Sequence, residues 1–206
     1  DAYVSNSFGN YKNNLYRGNG DSTFTKIISG PAITDANSSR SIHWIDIDAD
    51  HDLDLFVCNE NNENENLYIN NNDGTFSRNL STALVKQGKS TITASWGDYD
   101  NDGDLDVFLG NDGSANQLFR NDGNLNFVEQ NFPTDGFEYT FGSSWADVDN
   151  DADLDLFITQ SFSPTKAVNK LYLNNNGTFS LDTLNTFKTD STWSYGCAFG
   201  DVDKDG

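Results

Sequence analysis

The chain has 206 residues, with 12 Lys and Arg against 32 Asp and Glu and a formal net charge of −20. That balance excludes a binder of phosphate backbones, which needs clustered basic side chains, and argues against anionic membrane surfaces. Fifteen Phe, eight Tyr and four Trp exclude a solvated polyanion, and there is no run of about 18 apolar residues to insert directly into a membrane.

In chain order, residues 1–40 read as a partial repeat. Asp1-Ala-Tyr-Val-Ser-Asn6 matches Asp54-Leu-Phe-Val-Cys-Asn59, so Asp1 stands as the last aspartate of a motif. Leu15-Tyr-Arg leads into a Gly/Asp turn and then Phe24, giving three strands. Residues 41–90 form the first complete repeat: Trp44-Ile-Asp-Ile-Asp-Ala-Asp-His-Asp-Leu-Asp54, then Leu67-Tyr-Ile, an Asn/Asp/Gly turn and Phe76. A turn of helix is expected in the connection at 81–87.

Residues 91–140 carry the clearest copy, Trp96-Gly-Asp-Tyr-Asp-Asn-Asp-Gly-Asp-Leu-Asp106, with strands predicted at 92–98, 104–110, 117–121 and 125–129. Residues 141–192 repeat it with Trp145-Ala-Asp-Val-Asp-Asn-Asp-Ala-Asp-Leu-Asp155, Leu171-Tyr-Leu and Phe179. Residues 193–206 supply a first strand and a truncated loop, Phe199-Gly-Asp-Val-Asp-Lys-Asp-Gly206. First aspartates fall at 46, 98, 147 and 201, a period of about fifty that marks a repeat architecture. Four short strands per repeat with tight turns describe a meander. The apolar runs Leu-Asp-Val-Phe-Leu and Leu-Asp-Leu-Phe-Ile suit a sheet covered on both faces. No sustained 3.6-residue apolar period is present, so helix content should be low.

Carboxylates at alternate places of a nine-residue loop repel one another, and burial raises the cost. A hard dication reverses that term, and oxygen ligands at variable geometry favour Ca²⁺. The candidate ligands are Asp46, Asp48, Asp50, Asp52 and Asp54; Asp98, Asp100, Asp102, Asp104 and Asp106; Asp147, Asp149, Asp151, Asp153 and Asp155; and Asp201, Asp203 and Asp205 of the incomplete loop. Side chains serve at the first, third, fifth and ninth places, and a backbone carbonyl at the seventh. Gly103 takes the sixth place, where a sharp turn calls for positive φ. His51 and Ala152 stand there in the other loops, and Ala in that conformation costs about 1–2 kcal/mol. An EF-hand would need Glu at the twelfth place, where Leu109 stands inside a strand.

Cys58 and Cys197 lie on non-equivalent strands and read as small apolar residues rather than a disulfide, and zinc spacing is absent. Trp44, Trp96 and Trp145, with Phe199 in register, each stand two places before a first aspartate. That strict position predicts packing between repeats rather than sugar stacking.

The Trp96–Asp106 loop, its continuation Val-Phe-Leu-Gly110 and Gln117-Leu-Phe-Arg-Asn-Asp-Gly123 resemble the FG-GAP/VCBS repeat family, known best from the propeller of integrin α subunits, and more closely its bacterial secreted, ASPIC/UnbV-associated branch. The resemblance spans essentially the whole chain. It implies an all-β fold, a β-propeller of four-stranded antiparallel blades in a seven-bladed ring, with calcium loops between the first and second strands. It also implies an extracellular or cell-surface location. The chain has no Met and both ends cut a motif, which predicts an internal piece whose partners include the remaining blades of its parent; closure of the two partial blades into a four-bladed ring is the alternative.

The expected function is a non-catalytic calcium-binding module for protein or glycan recognition. The segments that vary between repeats, 59–66, 132–139 and 161–169, are its candidate contact loops. The alternatives are the propeller body of a secreted polysaccharide-active enzyme such as a lyase, or a purely structural scaffold. No nucleophile motif is present, and neither His43 nor His51 recurs between repeats.

Overall fold

A computed structural model of the chain describes residues 1–9, 11–134, 136–162, 168–184, 187 and 192–202. They fall into two compact units, Asp1–Thr91 and Ile92–Gly206. In the first, β1 (Ala2–Val4), β2 (Asn14–Gly18) and β3 (Phe24–Lys26) make a three-stranded antiparallel sheet. A four-residue helix α1 (Pro31–Thr34) follows. Then β4 (Ser39–Ile45), β5 (Asp54–Asn59), β6 (Asn66–Asn70) and β7 (Phe76–Asn79) pair in sequence order as an antiparallel meander. Every residue of β5 is buried, as a strand covered on both faces requires. The connection after β7 holds a single 3-10 turn, Ala83–Val85, capped by Thr82 Oγ1.

The second unit repeats this plan twice. β8 (Thr91–Gly97), β9 (Asp106–Ser114), β10 (Gln117–Asn121) and β11 (Phe127–Gln130) form one blade. β12 (Glu138–Ala146), β13 (Asp155–Gln160), β14 (Lys170–Asn175) and β15 (Thr178–Leu181) form the next. The protein is therefore all-β and built of four-stranded antiparallel propeller blades, the first represented by its last three strands.

Three details differ from the sequence expectation. β9 begins at Asp106 rather than 104, because Asp104 and Leu105 stay in the loop, and it runs on to Ser114. That extension pairs with β12 through Glu138↔Ser114 and Tyr139↔Asp112, so the two blades of this unit share one sheet. β11 starts at Phe127 because Asn124 and Leu125 take left-handed backbone in the turn before it (φ 52 and 59). The strand expected at the start of 193–206 does not form in 192–202. The equivalent strands β4, β8 and β12 each pair with the strand after their acidic loop.

Trp44 and Trp145 pack as their register predicts. In the first unit, Trp44 meets Tyr3 of the preceding blade edge-on at 6.5 Å and Phe76 of its own at 6.0 Å. In the second, Trp145 stacks on Tyr99 of the preceding blade at 6.2 Å and touches Phe179 of its own at 5.9 Å. Trp96 meets Phe127 edge-on. Phe199, in the same register, packs on Phe157 at 5.9 Å. Cys58 is buried, and both cysteines are free.

A second, polar device recurs at the start of the third strand of each repeat. Two places before Leu15, Leu67, Leu118 and Leu171 stand Asn13, Glu65, Asn116 and Asn169. Each side chain accepts a backbone N–H from the end of the preceding strand: Asn6, Asn59, Asn111 and Gln160, at 2.6–3.1 Å. Each also bonds a hydroxyl further along the chain in its own unit: Ser39, Thr91, Thr140 and Ser194, at 2.6–3.1 Å.

Glu65 is the one acid in this set and is 1% exposed. Burial pushes its carboxyl up to about 8, against the hydrogen bonds from Thr91 and Asn59 that lower it. The folded chain thus keeps this proton at pH values where the unfolded chain has released it. Stability is expected to fall as pH rises from the ordinary carboxyl range to about 8, by at most about 1.36 kcal/mol per unit, and to level off above. Glu65→Gln keeps an acceptor and cannot ionise, so its difference from wild type should grow over that window. Urea melts of both proteins in chelator across the window read this directly.

Candidate metal centres in the acidic loops

Each complete acidic loop joins the first two strands of a blade, and all three fold alike. The first aspartate closes the turn with both oxygens. Asp46 accepts N–H bonds from Asp50 and His51, Asp98 from Asp102 and Gly103, and Asp147 from Asp151 and Ala152, all at 2.9–3.2 Å. The fifth-place carboxylate accepts from the seventh-place N–H in every loop. These local side-chain bonds explain why Asp, rather than Glu, recurs: its short stem reaches its own backbone. Backbone with positive φ occurs at two places, not one. Ala49, Asn101 and Asn150 take the fourth (φ 60–62), and His51, Gly103 and Ala152 the sixth (φ 73–95).

The ninth aspartate ties the loop to the sheet. One oxygen of Asp54, Asp106 and Asp155 accepts from the N–H of Ile47, Tyr99 and Val148 in the loop. The other accepts from Asn70, Asn121 and Asn174 on the third strand. Asp1 takes the same position in the partial blade, its Oδ1 accepting from Gly18 N–H at 2.9 Å. Sequence reading missed the asparagines: the Nδ2 groups of Asn70, Asn121 and Asn174 bond the carbonyls of Leu53, Leu105 and Leu154. Their signal was present as an Asn three places after Leu67, Leu118 and Leu171.

Carboxylate oxygens gather within 4.8 Å of one another in three groups: Asp46, Asp48 and Asp50; Asp98, Asp100 and Asp106; and Asp147, Asp149 and Asp155. The seventh-place side chains are drawn elsewhere where their bonds are defined. Asp153 accepts from Asn176 N–H and, within the same unit, from Asn101 Nδ2. Asp201 is described, while Asp203 and Asp205 lie outside the described residues.

The electrostatics of the loops are unfavourable as they stand. Burial pushes Asp54 up to about 6 and Asp106 up to about 7, overriding two N–H bonds on each, and raises Asp155 as well. Burial also raises Asp48 and Asp100, with Asp50 and Asp102 adding like-charge repulsion. Asp48 Oδ1, Asp100 Oδ1 and both oxygens of Asp52 are buried without a hydrogen-bond partner. Loop two has a cationic neighbour in Arg120, whose Nε lies 2.6 Å from Asp122 and 4.0 Å from Asp100.

Convergent hard oxygens with unsatisfied lone pairs fit Ca²⁺. The residues that would hold it are Asp46, Asp48, Asp50 and Asp54, and their counterparts in the other two loops. The ion would supply the positive charge that makes the ionised carboxylates tolerable. Ala152 tests the loop's strain: Ala152→Gly is expected to stabilise the protein by about 1 kcal/mol, and Gly103→Ala to cost a similar amount, in melts with and without calcium.

Repeated blades with a self-bonded acidic loop at the first hairpin define a class of acidic-loop propeller repeat. The FG-GAP-like repeat pattern matches residues 1–57, 50–109 and 98–158. The chain belongs to the FG-GAP-like repeat family. No curated protein matches it. Among solved structures, a lectin of Agrocybe aegerita, described for specific recognition of non-reducing terminal N-acetylglucosamine, is similar with a TM-score of 0.56 and 18% identity. The match covers 88% of this chain and 48% of the lectin, so the chain spans about half the lectin's length, and the likeness is one of fold.

Proposed function

We propose that this chain is a calcium-binding recognition module that works outside the cell, stiffened by its loops and presenting its blade edges to a protein or glycan ligand. The observation that carries the calcium reading is the triplicate loop, in which three carboxylates converge each time, with oxygens of Asp48, Asp52 and Asp100 in the first two copies lacking any donor. The fold likeness to a lectin supports the recognition reading and favours glycans. A catalytic role has little to stand on. Burial pushes His43 down to about 4, and its ring bonds Ser41 Oγ at 3.2 Å.

Calcium titration by calorimetry is expected to give binding on the order of 10⁻⁴–10⁻³ M, the range of extracellular modules. A glycan array probed with and without chelator tests the rest. Calcium-dependent retention of a defined glycan set supports recognition, and a blank array in calcium points to protein ligands or a scaffold instead. Turnover of an acidic polysaccharide would favour the enzyme reading.

A further inference from the structure

Acidic loops two (98–106) and three (147–155) lie in one unit and are tied together by side-chain amides. Asn101 stands at the fourth place of loop two, between Asp100 and Asp102, with left-handed backbone (φ 60). Its Nδ2 donates to the carbonyl of Ala152 at 3.3 Å and to Oδ1 of Asp153 at 3.1 Å, both in loop three. The other oxygen of Asp153 accepts from Asn176 N–H at 2.7 Å, so its carboxylate is held from two sides. A second tie runs through Asn174. Its Nδ2 bonds Tyr99 O of loop two at 2.8 Å and Leu154 O of loop three at 3.1 Å. Its backbone N–H donates to Asp155, the closing carboxylate of loop three.

Closing a turn does not require these ties. Loop one carries Ala49 at the fourth place with the same φ of 60, and it closes through the same three internal bonds without an amide there. Asn suits left-handed backbone, yet the amide of Asn101 is directed at the neighbouring loop.

The ties touch the residues that would hold calcium. Asn101 lies between two candidate ligands of loop two, and Asp153 carries the seventh-place carbonyl expected to serve as a ligand in loop three. Ordering either loop fixes the group that positions the other. The second loop to fill therefore has less conformational freedom left to lose, which favours binding there. Charge acts in the opposite sense, because a filled loop leaves its surroundings less negative. That effect is screened beyond about 8 Å at physiological salt, whereas a direct hydrogen bond is not.

We infer that loops two and three bind calcium cooperatively, with Asn101 as the positioning residue that couples them. This rests on the calcium reading above and adds a dependence between two of the sites. The test uses the full chain with Asp48→Asn, which disables loop one, at physiological salt. NMR titrations with calcium follow the amide of Gly103 for loop two and that of Ala152 for loop three. Loop three is expected to fill at least about fivefold more tightly with loop two intact than with Asp100→Asn in it. Disabling loop three with Asp149→Asn should weaken loop two by the same factor, since such coupling is reciprocal. Asn101→Gly keeps the left-handed backbone and removes the amide, and should cut both ratios to below about twofold. A merely structural role for Asn101 would lower the melting temperature and leave the ratios unchanged. Ratios undiminished by Asn101→Gly, or below about twofold with Asn101 in place, overturn the coupling and leave calcium binding standing. If calcium moves neither amide in the chain with loops two and three intact, both readings fall together.

Discussion

Chelation should lower the melting temperature of this protein more than any single substitution. Each complete loop holds carboxylates that burial and mutual repulsion push toward their neutral forms. At neutral pH, folding without an ion must either keep those protons or tolerate the charge. An ion that binds only the folded state contributes about 2.7 kcal/mol per site at a hundredfold excess over Kd, so three sites contribute roughly 8 kcal/mol. That is comparable to the whole stability of an ordinary domain. Two of the loops lie in the unit Ile92–Gly206 and one in Asp1–Thr91, so calcium should raise the former's transition about twice as far. Calorimetric melts in calcium and in EDTA measure both shifts. Coincident melts in the two buffers would falsify the calcium reading of the loops.

Truncating Tyr99 is expected to be the most damaging single change among the loop residues, costing about 3–5 kcal/mol. Tyr99 occupies the second place of its acidic loop and is 2% exposed. Its ring stacks on Trp145 and meets Phe179 edge-on at 5.4 Å, both in the following blade. Its N–H donates to Asp106, and its carbonyl accepts from Asn174 Nδ2 of that following blade at 2.8 Å. One residue therefore couples the loop's closing carboxylate to the packing of the next blade. Tyr99→Ala should weaken calcium binding as well as stability, whereas Tyr99→Phe should retain both. Urea unfolding in calcium and in chelator separates the two effects: equal losses in both buffers would show that the ring acts through packing alone.

Other features escaped sequence reading for identifiable reasons. The strain at the fourth loop place was hidden because Ala49 is as ordinary in sequence as any alanine, and only its φ of 60 marks it. The polar clasp of Asn13, Glu65, Asn116 and Asn169 was overlooked in an Asn-rich chain, where one more Asn at a fixed place carries little signal. Glu65 breaks the set, yet it makes the same two bonds. The aromatic contacts of Trp44 and Trp145 were legible, because a strict place beside each loop left packing as the economical explanation.

The sequence by itself determined the period, the order of strands within each blade, the loop that bears the carboxylates and the packing role of Trp44 and Trp145. These follow from local rules: short apolar runs, turn chemistry and a spacing near fifty that chance does not produce. Tertiary structure alone decided which carboxylates converge, which of their oxygens are left without donors, that β9 and β12 share a sheet, and that Asn101 of loop two bonds loop three. Those depend on where chain segments tens of residues apart come to rest, and on how much water the packing removes. Neither quantity is written in any short stretch of sequence.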